Sequence, residues 1–422
     1  MCGRLTNLRR LLAISALALL AATWRLWLPQ TDFPQVPLFD FARSAPAWLD
    51  WLGLTVLVGA LLVAGVVPQR SRLWQPALLI LASTLLAMVV LDQHRLQAWA
   101  YQFAIVSVGL ATLPKKWAVP WLRLFVVSIY FHSALSKLDY GFLHEHGPLL
   151  LSGMVKPFGL SPDDWPERIT AGLSLLMPVG ELLVAVGLCV QRFRRAAVFA
   201  AVCMHLMLML AVGPFGLDHE WGVLLWNAYF IGQAVLLWGG SEQPAETPID
   251  PVIENPRTFR TVAPCVLIAF VSVWPFASTW GWCDTWPAWE LYASRPECAK
   301  LYVTATARER LPPSIQKHVG QPDWHDWCRV RIDRWSLEAI GAPEYPQNRV
   351  RVGIALALAD SFQLDEEIRI VLESPAARWT GTRSERTLTG RRALFDQAAT
   401  YRFNAKANEL KPRISRMDTD LK

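Results

Sequence analysis

Between Tyr130 and His146 the chain reads YFHSALSKLDYGFLHEH, where an apolar helical run gives way to Lys137 and Asp139 flanked by His132, His144 and His146. Amines, carboxylates and imidazoles are the groups that move protons near neutral pH. An ionisable residue inside or at the lip of a membrane helix costs a few kcal/mol, so it marks a functional site by default. Lys137 has two readings. Beside apolar neighbours desolvation disfavours its ammonium and makes it a candidate base, a shift that Asp139 and Glu145 oppose. Alternatively, a lysine at a helix end snorkels to the interface and anchors it. Counting about 1.5 Å per residue from the helix ends places Glu181 and His205 near the midplane. There a Glu181 to His205 hydrogen bond between neighbouring helices is the structural reading, worth about 1 to 2 kcal/mol. Lys137 falls near the outer surface, with His94, His144, Glu145 and His146 in adjoining loops.

The elements that position these groups are membrane spans. The 422 residues are 53% hydrophobic and 18% charged, and residues 1 to 280 hold repeated apolar runs of about the length that crosses 30 Å of hydrocarbon. Nine helices are expected, over about 8 to 28, 48 to 67, 73 to 91, 98 to 113, 118 to 138, 169 to 190, 195 to 213, 221 to 239 and 262 to 280. The fourth is short and carries Gln102. Tryptophans crowd the ends of the runs, as at Trp24, Trp27, Trp48, Trp51, Trp117 and Trp121, where an amphipathic ring suits the headgroup layer.

Charge sets direction. With the N-terminus inside, the inner loops receive Arg4, Arg9 and Arg10, Arg70 and Arg72, Lys115 and Lys116, Arg192, Arg194 and Arg195, and Arg257 and Arg260. Outer loops receive only Arg43, Arg95, Lys156 and Arg168, with Arg25 near the outer end of the first helix. This alternation obeys the positive-inside rule and predicts a multi-pass protein of the cell membrane with a cytoplasmic N-terminus. It also explains the net charge of +6 without nucleic acid as a partner; the bilayer is the expected one. The basic start followed by LLAISALALLAAT also describes a signal peptide, although the apolar stretch runs on to Leu28. No lipobox precedes Cys2.

Residues 240 to 261 are proline-rich and polar, and read as an inner linker. After Trp282 the long apolar runs stop and charges of both signs appear. Lys300 to Thr306, Ile368 to Leu372 and the amphipathic Pro346 to Asp360 suggest a small mixed α+β domain over 281–422. The fold class is thus an all-α polytopic bundle over 1–280 followed by an exported domain. Cys283, Cys298 and Cys328 fall in that exported part, where disulfides persist, and Cys283 with Cys298 is the expected pair. A loop of about 15 residues would gain roughly 3 kcal/mol from it. Three reduced cysteines are the alternative. The QPDWHDWC stretch with His318 matches no common zinc spacing, so no metal is assigned.

The stretch IYFHSALSKLDYGFLHEHG resembles the signature of the horizontally transferred transmembrane domain family, which includes the vitamin K-dependent gamma-carboxylase. DQHRLQAWAYQF resembles that family's histidine segment, and HLMLMLAVGPFG followed by GVLLWN is a further likeness. The resemblance implies Lys137 as the base that deprotonates a reduced quinone and His94 as a residue of the carboxylation step. Two features depart from it: a single lysine where the carboxylase has a pair, and an exported domain without clear likeness to the lumenal one. The small-x-x-Lys-Leu pattern and GELLVAVG around Glu181 also resemble DoxX-like and MauE-like redox-associated membrane proteins, which implies quinone or thiol redox partners instead of carboxylation. Three classes follow: a quinol-using membrane enzyme with His132, Asp139, His144, His146, Glu181 and His205 in supporting places, a redox-associated assembly protein that docks an exported partner, and a transporter. A quinone-related or redox-associated role is the expectation; no inverted repeat favours transport.

Overall fold

The computed structural model describes residues 2–239, 259–408 and 410. Eight helices are long and apolar enough to cross a membrane. In chain order the helices of the membrane part are α1 (Cys2–Ala22), α2 (Trp48–Val66), α3 (Trp74–Leu91), α4 (Ala98–Thr112), α5 (Lys115–Ser136), α6 (Gly147–Val155), α7 (Glu167–Cys189), α8 (Arg194–Val212), α9 (Trp221–Trp238) and α10 (Phe259–Val273), the last continued by a 3-10 stretch to Trp280. The helix expected at 98 to 113 forms, but its 15 residues make it shorter than the eight spans. Gln102 donates to Gln233 on α9 over 2.9 Å and accepts from Trp226, which removes the cost of a lone amide in the bundle. Neighbours run α1, α2, α3, α4, α10, α5, α7, α8, α9 and back to α1, a closed ring.

Two expectations change. The first helix, drawn to residue 28, ends at Ala22. Trp24–Trp27 form a 3-10 turn, because the Arg95 guanidinium takes the carbonyls of Leu26 and Leu28 and pairs with buried Asp50. Arg95 is therefore a buried structural ion and no loop charge. The stretch between α5 and α7, expected as an outer loop, contains a π-helical turn over Phe142–His146 and the helix α6. A Cβ on Gly153 of α6 would stand 2.3 Å from the carbonyl oxygen of Ala211, so only glycine permits this approach. The linker at 240–258 lies outside the described residues.

The C-terminal domain is a five-stranded antiparallel sheet in the order β2-β3-β1-β4-β5. Its strands are β1 (Cys298–Thr304), β2 (Val319–Pro322), β3 (Trp327–Val330), β4 (Ile368–Glu373) and β5 (Glu385–Thr389). Alternation places Leu301, Val303, Ile368, Ile370 and Leu372 inward. Helices α11 (Ala305–Arg310), α12 (Pro313–Gln316), α13 (Ile332–Ile340), α14 (Asn348–Phe362) and α15 (Arg391–Ala398) accompany it. The segment expected as amphipathic becomes α14, which is buried nearly all round from Asn348 to Ala359. Gly353 lets α14 approach the backbone of Ala405 and the side chain of Val36.

This domain sits on one end of the bundle. Arg25 donates to Glu338 O, Trp335 to Asp32 O, Gln93 to Asn404 O and Arg378 to Leu135 O and Leu138 O. The turns after α1, α3 and α5 therefore share one face. The basic loops gather at the opposite end, where Thr6 meets Gln69 and Arg9 donates to Val67 O.

Cys283 and Cys298 do not form the expected bridge; both are free thiols. Cys283 is buried in the turn that follows the last span, donating weakly to Asp284 O, whereas Cys298 is fixed at the start of β1 opposite Glu373. Burial, reinforced by Asp284 and Glu290, pushes the Cys283 thiol up.

Candidate functional site

The last turns of α5 carry Ser133, Ser136 and Lys137. Ser136 folds back onto Ser133 O at 2.8 Å, and such hydroxyl back-bonding suits a helix about to end. Beyond it Arg378 donates to the Leu135 and Leu138 carbonyls, a cationic cap on the free C-terminal acceptors.

Lys137 does not snorkel. Its Nζ donates to Glu181 Oε2 at 2.9 Å, to Ser133 O at 3.2 Å and to Ser133 Oγ, and both charged side chains are nearly enclosed, 11% and 14% exposed. Three ammonium hydrogens meet three acceptors. The outer and midplane layers inferred from axial counting are thus one site, because α7 brings Glu181 to the end of α5.

Glu181 consequently is not bonded to His205. His205 Nδ1 lies 2.8 Å from Asn227 Oδ1, and Asn227 already donates its amide to Val223 O. The imidazole hydrogen therefore sits on Nδ1. The bare Nε2 accepts from the Tyr130 hydroxyl at 2.9 Å. This buried chain from α5 through α8 to α9 also stacks His205 on Phe230.

The remaining histidines face elsewhere. His132 donates Nε2 to Ser272 O on α10 at 2.9 Å and packs edge-on to Phe276. His144 stacks on Tyr140 and reaches the exposed Glu167 at 3.1 Å. His146 meets Ser294 at 2.8 Å; burial lowers its pKa, Glu145 and Asp139 oppose this, and Arg383 adds to it. Asp139 accepts the Phe142 N–H through Oδ1, while Oδ2 is buried without a partner. Burial raises its carboxyl against the pull of that hydrogen bond and of Arg295, Arg378 and His146.

His94 is fully buried in a different setting. Its Nδ1 is 2.7 Å from Asp92 Oδ1 and its ring meets Phe33 edge-on, leaving Nε2 without a partner. Burial opposes ionisation of Asp92, but the adjacent His94 and Arg95 outweigh it and hold the carboxyl below its ordinary value. No hydrogen bond or ion pair joins His94 to Lys137 or Glu181 among the described residues. Ser133 and Tyr130 escaped the sequence reading as site residues, although the spacing of Ser133 and Lys137 by four along a helix signals a contact.

Chemically, the pair holds one proton between an amine and a carboxylate in a shielded place. In so shielded a place the attraction between the ammonium and the carboxylate is stronger than it would be in water. No metal-holding group of His, Cys, Asp or Glu is found among the described residues.

No curated protein and no solved structure matches the chain. Residues 115–215, the stretch from α5 through α8 that contains Tyr130, Lys137, Glu181 and His205, match the family model of the methylamine utilisation protein MauE.

Proposed function

We propose that this multi-pass membrane protein has a redox-associated role, with Lys137 and Glu181 handling a proton for a partner of the quinone class. The observation that carries the reading is the nearly enclosed Lys137–Glu181 pair inside the segment that matches MauE. A quinol gives up protons with its electrons, so a site serving it needs a shielded acceptor that changes charge at low cost. Glu181 can take the proton that leaves Lys137, and the free amine is then the base. Tyr130 and His205 extend the polar region inward.

A second reading is favoured by the complete hydrogen bonding of the Lys137 ammonium. With every Nζ hydrogen occupied, the pair also suits a purely structural post in a protein that assists maturation of an exported redox partner. In that reading the domain over 281–422 is the docking surface. Cys189, Cys203, Cys265, Cys283, Cys298 and Cys328 are free thiols, so a disulfide entering exchange with them would come from the partner.

The orientation that accompanies both readings places the basic end in the cytoplasm and the sheet domain outside. Extraction in mild detergent followed by quinone analysis tests the first reading. Wild type should retain an endogenous quinone and Lys137→Arg should lose it while keeping its fold, since arginine stays protonated. Absence of quinone from wild type would leave the maturation reading.

A further inference from the structure

A second polar place lies where the ends of α5 and α10 meet the C-terminal domain, on a face of α5 different from the one that carries Lys137. It is a cavity of about 150 Å³. This is room for several waters, or for one compact polar head group. Its depth in the bilayer is set by its neighbours. His132, Leu135 and Ser136 belong to the last turns of one span, and Phe276 belongs to the 3-10 end of another. Exposed Trp280 and Trp282 follow directly, which places the rim at the headgroup layer.

The two walls differ. Leu135, Pro275 and Phe276 are apolar, and the exposed ring of Phe276 continues the surface of the spans. Opposite stand two guanidiniums from the sheet domain, Arg295 and Arg378. Arg295 spends only Nε on the protein, donating to Ala376 O at 3.2 Å, and Arg378 spends Nη1 on the carbonyls that end α5. Both protein partners are neutral, so neither positive charge has a paired carboxylate among the described residues.

Two carboxyls stand near. Glu290 accepts from Ser278 at 2.6 Å, and burial pushes its pKa up against the attraction of that bond and of both arginines. Asp139 is raised by burial in the same way. Neither stands within ion-pair distance of Arg295 or Arg378, so the two guanidiniums keep their charge for another anion. Unspent guanidinium forks beside an apolar wall are suited to a phosphate oxygen pair carried on an acyl-chain body.

We propose that this cavity binds the phosphate head group of an anionic membrane lipid, with Arg295 and Arg378 on the phosphate and the acyl chains leaving past Leu135 and Phe276. The same anion chemistry is offered by free phosphate, and the test separates the two sources. The purified full chain in mild detergent is titrated with phosphatidylglycerol, phosphatidylcholine and inorganic phosphate, and bound adducts are counted by native mass spectrometry. Phosphatidylglycerol should be retained at least tenfold better than phosphatidylcholine, and inorganic phosphate should not displace it. Arg295→Gln should lower phosphatidylglycerol retention about tenfold. Leu135→Trp, which fills the cavity without changing charge, should do the same and decides the matter if Arg295→Gln fails to fold. Equal retention of the two lipids, displacement by inorganic phosphate, or unaltered binding in Leu135→Trp would overturn the proposal.

Discussion

Arg349 on α14 donates its Nε to Gln93 Oε1 in the turn after α3 over 2.7 Å, while its two terminal nitrogens grip both carboxylate oxygens of Asp284. One side chain thus joins the centre of the sheet domain, a membrane turn and the segment that leaves the last span. Tyr345 completes the group by donating to Asp284 Oδ2. Removing one partner of a buried pair strands the other, at a cost of about 3 to 5 kcal/mol. Arg349→Ala should therefore loosen the domain from the bundle. Limited proteolysis of the intact membrane form should show new cleavage between Trp282 and Cys298, and an unchanged pattern would argue against this docking role.

The Lys137–Glu181 pair gives a sharper case. Lys137→Met alone should destabilise the fold by about 3 kcal/mol, because Glu181 is left in an enclosed place without its cation. Lys137→Met with Glu181→Leu should recover most of that stability, since apolar pairs of similar volume replace buried ions at little cost. Function should not recover. Thermal melts beside the native phenotype separate the outcomes, and a double variant with full function would remove the pair from any chemistry.

His146 makes stability depend on pH. Its folded pKa lies below the ordinary value of 6.5. As pH falls through about 6.5 the unfolded chain takes up a proton that the folded one refuses, so stability drops, by at most about 1.4 kcal/mol per pH unit, until the lowered folded value is passed. Half-buried His219 acts with the same sign. His146→Gln keeps a partner for Ser294 and should flatten its share of the slope; melting curves of both proteins between pH 5 and 8 measure the difference.

Orientation is open to a direct test. An export-dependent reporter fused after Glu242 should be silent, and one fused after Lys422 should be active. The reverse pattern would invert the proposed topology while leaving the shared face of the turns intact.

The cysteines yield a last expectation. Cys298 should react with a small alkylating agent in the folded protein and Cys283 only after unfolding, because burial both covers that thiol and raises its pKa. Peptide mapping reads this, and a bridged peptide would restore the pairing that spacing suggested.

What the sequence disclosed follows the physics of each feature. The spans were legible because an apolar run of bilayer length has few other uses, and β1 and β4 were legible from period alone. Lys137 was legible as an ionisable group at a helix end. Its partner was not, because counting along ideal axes ignores the ring packing that brings α7 to the end of α5. Arg95 read as an ordinary outer-loop charge, since nothing local shows that it meets Asp50, 45 residues away, in a dry place. The amphipathic reading of α14 failed for a related reason: its polar side faces Gln93 and Asp284, and pairing does there what water does at a surface.

The enclosed position of α14 has a consequence for biogenesis. Gln93 emerges from the ribosome 256 residues before the arginine that completes its contacts. During that interval Gln93 can already meet Val36 and Pro37 in the turn after α1, but its Oε1 still lacks the arginine that ties this end of the bundle to the sheet domain. Insertion of the spans and closure of the molecule are therefore separate events in time, and the second waits on a helix that no early segment can replace. A chain interrupted before Asn348 would be inserted yet uncapped, its polar turns a visible mark for quality-control proteases.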